Sequence, residues 1–87
     1  MTYTIQYKKS VAKDLQRLDV SQKQKIMTDI RENLSHNPRL GIPLKGKDIS
    51  LWRYRIGNYR VVYTFNDHDL WILVVRIAHR KEVYRDL

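Results

Sequence analysis

Leu51-Trp-Arg-Tyr-Arg-Ile-Gly-Asn-Tyr-Arg-Val-Val-Tyr-Thr-Phe65 sets the pair Gly57-Asn58 between two runs in which aromatic and β-branched residues alternate with arginines. Both residues of that pair tolerate positive φ, as the primed turns of tight hairpins require, so the stretch is predicted to be a β-hairpin turning at Gly57-Asn58. Such a turn fixes the register: Ile56 opposes Tyr59, Arg55 opposes Arg60, Tyr54 opposes Val61, Arg53 opposes Val62 and Trp52 opposes Tyr63. Opposed residues share a face. One face then carries Trp52, Tyr54, Ile56, Tyr59, Val61, Tyr63 and Phe65, which suits a core, and the other carries Leu51, Arg53, Arg55, Arg60, Val62 and Thr64. Arg55 across from Arg60, with Arg53 close by, places like charges over a ladder, which is destabilising. A solvated face balanced by acidic side chains elsewhere is the plainer account. A bound polyanion is favoured, because surfaces more commonly mix charges than cluster one sign.

Outward from the hairpin, residues 2–7 alternate with Tyr3, Ile5 and Tyr7 on one side and predict an edge or half-buried strand. Ser10 is placed to cap a helix over 11–18, on which Val11, Leu15 and Leu18 recur at helical spacing. Ser21 with Gln24 has capping-box spacing for a second helix over 22–36, with Ile26, Met27, Ile30 and Leu34 on its apolar stripe and Asn37-Pro38 ending it. The short connection through Asp19 and Val20 favours an antiparallel helical hairpin. Residues 38–48 contain both prolines and two of the three glycines, and read as a loop with Lys45 and Lys47 at its end. Past the hairpin, Asn66-Asp-His-Asp69 is turn chemistry, and the nearly continuous apolar run over 70–78 predicts a central strand covered on both faces. His79 to Leu87 forms a short basic tail. The expected architecture is α+β: an N-terminal strand, then an antiparallel helical hairpin packed on a mainly antiparallel four-stranded sheet, in the order β-α-α-β-β-β.

Eighty-seven residues with 43% hydrophobic and 10% aromatic content suit a single folded domain over 1–87. No apolar run approaches the roughly 20 residues of a membrane helix, and the alternating N-terminus is unlike a secretory signal, so the expected location is the cytoplasm. The absence of cysteine excludes a disulfide framework, a thiolate metal site and a cysteine nucleophile, and the histidines at 36, 68 and 79 are too scattered for metal spacing. No metal and no cofactor are expected. Seventeen Lys and Arg against nine Asp and Glu give a net charge of +8, which implies a polyanionic partner. Nucleic acid leads, an acidic protein segment follows, and a membrane surface is least supported, since no basic amphipathic helix with interfacial aromatics is visible.

Cleaving RNA without a metal needs a group to take the 2′-hydroxyl proton, cations to meet charge growing on the phosphate, and an acid for the leaving oxygen. Arg53, Arg55 and Arg60 suit the second task, because guanidinium stays protonated and grips phosphate through paired hydrogen bonds. Proton carriers are sought in His79-Arg80-Lys81-Glu82-Val83-Tyr84, which holds a near-neutral titrating group and a phenol. Taken singly, a strand-end histidine bonded to backbone and a packing tyrosine are the commoner roles for His79 and Tyr84.

Leu44-Lys-Gly46, Trp52-Arg-Tyr-Arg-Ile-Gly-Asn-Tyr-Arg-Val-Val-Tyr63 and Ala78-His-Arg-Lys-Glu-Val-Tyr84, in this order and at these separations, resemble the toxins of the RelE/ParE superfamily over essentially the whole chain. The resemblance implies the toxin of a type II toxin–antitoxin system. In its RelE branch that is a ribosome-dependent mRNA endonuclease cutting in the A site and neutralised by a cognate antitoxin, so the implied partners are antitoxin, ribosome and mRNA. Carried over by position, the basic pair before the turn falls on Arg53 and Arg55, the arginine after it on Arg60, the strand-end arginine on Arg80, the C-terminal tyrosine on Tyr84, the loop cation on Lys45 and the histidine of some relatives on His79. Where the best-known RelE pattern has lysines, this chain has Arg53 and Arg55, which can hardly be tuned into bases. The implied catalytic set is Arg60, Arg80, His79, Tyr84 and Arg55, with RNA bound by Lys45, Lys47, Arg53, Arg55, Arg60, Arg80 and Lys81. Two alternatives stay open: a ParE-like poison of DNA gyrase, and a non-catalytic basic module that holds antitoxin or nucleic acid.

Overall fold

In the computed structural model, which describes residues 2–44 and 50–79, the hairpin forms in the predicted register. Strands β3 (Trp52–Ile56) and β4 (Tyr59–Asn66) pair antiparallel from Ile56↔Tyr59 to Trp52↔Tyr63, and Gly57 takes the φ of 59° that its turn demands. Around this pair are β1 (Thr4–Tyr7), α1 (Lys9–Gln16), α2 (Val20–Glu32), β2 (Ile42–Pro43) and β5 (Trp71–His79). The five strands order as β1-β5-β4-β3-β2, antiparallel throughout except that β1 runs parallel to β5. Two helices on one face of a mostly antiparallel sheet give the expected α+β architecture, with one strand more than the sequence reading provides.

That extra strand, β2, lies inside the segment read as loop. It is two residues long and contains Pro43, which lacks the N–H a central strand needs and is tolerated at an edge. Gly41 precedes it with no room for a side chain: a Cβ there would run into the Arg53 carbonyl oxygen and the Tyr63 hydroxyl.

The core lies between the helices and the face predicted for it. Val11 of α1, Ile26 and Ile30 of α2, and Leu34 pack on Ile56, Val61, Tyr63, Ile72, Val74 and Ile77, with Trp52, Tyr54, Tyr59 and Phe65 packed against the rim. Both caps differ from expectation. The Lys8 N–H pairs with the Val74 carbonyl, so α1 begins at Lys9 as soon as that bond is made, and Ser10 falls inside its first turn. Asp19 caps α2, its Oδ1 accepting from the Gln22 N–H at 2.8 Å, which starts the helix ahead of Ser21. An ionised carboxylate at a helix N-terminus adds charge–dipole attraction to the capping bond. At its other end α2 stops at Glu32, and the chain tightens into 3-10 turns at Leu34–His36 and Pro38–Leu40.

Strand β5 is interior, yet only its helix-side face is fully buried, at Ile72, Val74 and Ile77; Leu73, Arg76 and Ala78 are half-buried. The expectation of two covered faces is corrected accordingly. The ladder between β4 and β5 also slips, with Tyr63 paired to Val74 and Val62 to Arg76, leaving Val75 as a bulge. Beyond Val74, where β1 has ended, Asp14 of α1 accepts the Ile77 N–H at 3.0 Å.

Candidate functional site

Cross-strand pairing lines up Ile42, Arg53, Val62 and Arg76 in one row, and Arg55, Arg60 and Ala78 in the next. Four arginines therefore share the sheet face that the helices leave open, around a fully buried Val62. Arg55, beside the turn, donates from Nε to the Gly57 carbonyl at 3.1 Å. Arg60 is half-buried, and its Nη1 is shielded from solvent with no hydrogen-bond partner among the described residues. A pocket of about 290 Å³ is lined by Leu40, Gly41 and Ile42 together with Arg53, Tyr54, Arg55 and Arg60. Guanidinium groups so gathered can hold an anion through paired, charge-assisted hydrogen bonds. Arg55 and Arg60, paired directly across the ladder, are like charges that destabilise the hairpin, a cost that a bound polyanion would offset.

Of the residues named from sequence, Arg53, Arg55 and Arg60 come together on this face. His79 does not. It pairs with Tyr59 on the helix side, where the two rings meet edge to face at 5.7 Å and 81°, and with Asp14, Arg17 and Leu18 it lines a smaller pocket of about 120 Å³. Lys45, Lys47, Arg80, Lys81 and Tyr84 lie outside the described residues. Arg76 escaped the sequence reading: unbroken alternation from Ile72 and Val74 would turn position 76 toward the helices, and the bulge at Val75 reverses that. The signal was present in the apolar residue standing at 77 instead of 76.

The pocket wall formed by Leu40–Ile42 is anchored from beneath. Tyr63 donates its hydroxyl to the Pro38 carbonyl at 2.5 Å and accepts from the Gly41 N–H at 3.2 Å; burial pushes the phenol up to about 12, against the opposing pull of the Gly41 N–H. Arg39 forms an ion pair with Asp67 and lies 5.2 Å from the Phe65 ring centre, while Tyr3 donates to the same carboxylate at 2.6 Å. The Arg39 hydrogen bond, followed by that from Tyr3, holds the Asp67 carboxyl below its usual range. On the helix side Tyr54 donates to Asp29 at 2.6 Å, and burial followed by that carboxylate raises its phenol.

Residues 5–84 match the family described as the ParE toxin of the type II toxin-antitoxin system parDE. The chain is a RelE/ParE superfamily toxin. Among curated relatives it is 34% identical to Toxin RelE of Mycobacterium tuberculosis over 95% of this chain and 87% of that one, and 28% identical to Toxin RelG of the same organism over 98% and 99%. Its fold matches the toxin–antitoxin complex RelBE of Mycobacterium tuberculosis with a TM-score of 0.86 at 26% identity, covering 92% of this chain and 93% of that one. The archaeal RelE–RelB complex of Pyrococcus horikoshii gives 0.75 at 31%, covering 92% and 97%. The chain is thus a type II toxin of the RelE family, and no helix among its described residues is long and apolar enough to cross a membrane.

Proposed function

We propose that this toxin is an mRNA interferase: it cuts message in the ribosomal A site without a metal ion and is silenced in the cytoplasm by a cognate antitoxin. The observation that carries the reading is the open sheet face on which Arg53, Arg55, Arg60 and Arg76 gather beside the pocket. In the reaction a 2′-hydroxyl loses its proton and attacks the adjacent phosphorus, the bond to the 5′-oxygen breaks, and that oxygen takes a proton. The products are a 2′,3′-cyclic phosphate and a 5′-hydroxyl. Arg60, with Arg80 of the tail, meets the charge growing on the phosphorane, while Arg53, Arg55 and Arg76 orient the strand. His79 is turned toward α1, so proton transfer falls to Tyr84 of the tail, whose phenol gives its proton to the 5′-oxygen and regains one from the 2′-hydroxyl. Much of the rate comes from the ribosome holding the message in line, so modest acid–base groups suffice. The solved RelB–RelE complexes among its relatives support an antitoxin partner for this chain.

Primer extension on message with translating ribosomes tests the reading, run beside a ribosome-free control and two variants. Cuts that require ribosomes, fall about 10²–10³-fold in Arg60→Ala and persist within a few-fold in His79→Gln are expected. Intact message with the wild-type toxin would reject it. The ParE description of the matched family favours one other reading, poisoning of DNA gyrase, which a supercoiling assay on the same preparation detects.

A further inference from the structure

Leu40 and Ile42 are large apolar side chains that the fold leaves 48% and 56% exposed, and both line the pocket that Arg53, Arg55 and Arg60 also line. Apolar groups scattered singly on a surface are ordinary; two on one wall of an arginine pocket are a distinct arrangement. The wall is rigid as well. Gly41 between them is seated against the Arg53 carbonyl and the Tyr63 hydroxyl with no space for a Cβ, and that hydroxyl binds the backbone at Pro38 and Gly41. The volume, about 290 Å³, is at the small end of ligand pockets and has room for one nucleotide unit. A ligand that satisfies both the apolar and the cationic residues must be anionic at one end and flat and apolar at the other. Phosphate and nucleobase on a single ribose meet that description, and charge complementarity with Arg53, Arg55 and Arg60 favours them over an apolar peptide segment.

We propose that the Leu40–Ile42 wall is a nucleobase subsite: one nucleotide of the bound RNA lays its base on Leu40 and Ile42 while its phosphate is held by Arg53 and Arg60. The assignment rests on the RNA-cleaving reading above and adds to it a determinant of base preference. Aliphatic side chains offer no hydrogen bonds to base edges, so this subsite discriminates by buried area and favours purines over pyrimidines at one position.

The test uses the full-length toxin and 2′-O-methyl RNA tetramers, which cannot be cleaved because the attacking hydroxyl is blocked. Affinities are read by fluorescence anisotropy for an all-purine tetramer and for versions with one abasic position, with wild type and Leu40→Ser/Ile42→Ser. Wild type is expected to bind about tenfold more weakly at one abasic position, the effect of losing roughly 55 Å² of buried apolar area. The serine pair should bind the full and abasic tetramers alike while keeping the wild-type salt dependence, since the arginines that hold phosphate are untouched. Because both side chains are about half exposed, the variant should melt within a few degrees of wild type. Retained base discrimination in the serine pair overturns the subsite, as would unchanged RNA binding coupled to weakened antitoxin binding, which would make the wall a protein-docking surface. Ribosome-dependent cleavage assayed in parallel keeps the parent reading separate: a wild type that discriminates bases but leaves message intact would reject the nuclease and retain the pocket.

Discussion

Tyr63 shows how one side chain serves both core and site. Its ring is fully buried, while its hydroxyl holds the backbone of the pocket wall through Pro38 and Gly41. Phenylalanine in its place keeps the packing but orphans a carbonyl and an N–H. Tyr63→Phe is therefore expected to lower stability by about 1–3 kcal/mol in urea denaturation. The same residue sets an alkaline limit. Its phenol is raised from the ordinary value near 10 to about 12, so the folded state holds this proton more tightly than the unfolded chain. The resulting stability is complete below pH 10 and is lost as pH climbs through about 12, with Tyr54 adding in the same direction. Unfolding followed by tyrosinate absorbance should thus show stability falling steeply across that window, and less steeply in Tyr63→Phe. An unchanged alkaline profile in the variant would remove Tyr63 from this role.

At the scale of elements, the start of α2 discriminates between two caps the sequence offers. Asp19→Ala should cost about 1 kcal/mol, because the Gln22 N–H is left without its acceptor, whereas Ser21→Ala, already inside the helix, should change stability by a few tenths at most. Thermal melts that reverse this order would restore the Ser21 cap. What was legible here followed from the strength of local constraints. Gly57-Asn58 admits one tight turn, so the hairpin register and the grouping of Arg53, Arg55 and Arg60 could be read residue by residue. Cap choice was less legible, because Asp19 and Ser21 are both good caps and the winner depends on where α1 ends and the chain turns back. β2 was illegible: it is two residues long, one of them a proline, and exists only through its pairing with β3. The bulge at Val75 is likewise a property of the assembled ladder, and through it Arg76 joins the site.

For the whole molecule, a net charge of +8 and an arginine-rich open face set stability against function. Arg55 is the place to measure that opposition, because it is exposed, faces Arg60 across the ladder, and hydrogen-bonds to the Gly57 carbonyl at the turn. Arg55→Thr removes a like-charge pair and installs a residue suited to strands, so at low salt it should raise the melting temperature by about 1–6 °C, from about 0.2–1 kcal/mol of relieved repulsion. The advantage should shrink as salt rises, since screening at 0.1 M already acts over about 10 Å. RNA binding should move the other way: weaker affinity at every sequence, with the slope of log K against log salt smaller by about 0.7, because one phosphate fewer is neutralised. A polyanion should then stabilise wild type more than the variant, because only wild type has the full set of charges to neutralise. An Arg55→Thr protein that is less stable than wild type at low salt, yet binds RNA with an unchanged salt slope, would mean that this arginine braces the hairpin and takes no part in holding the message.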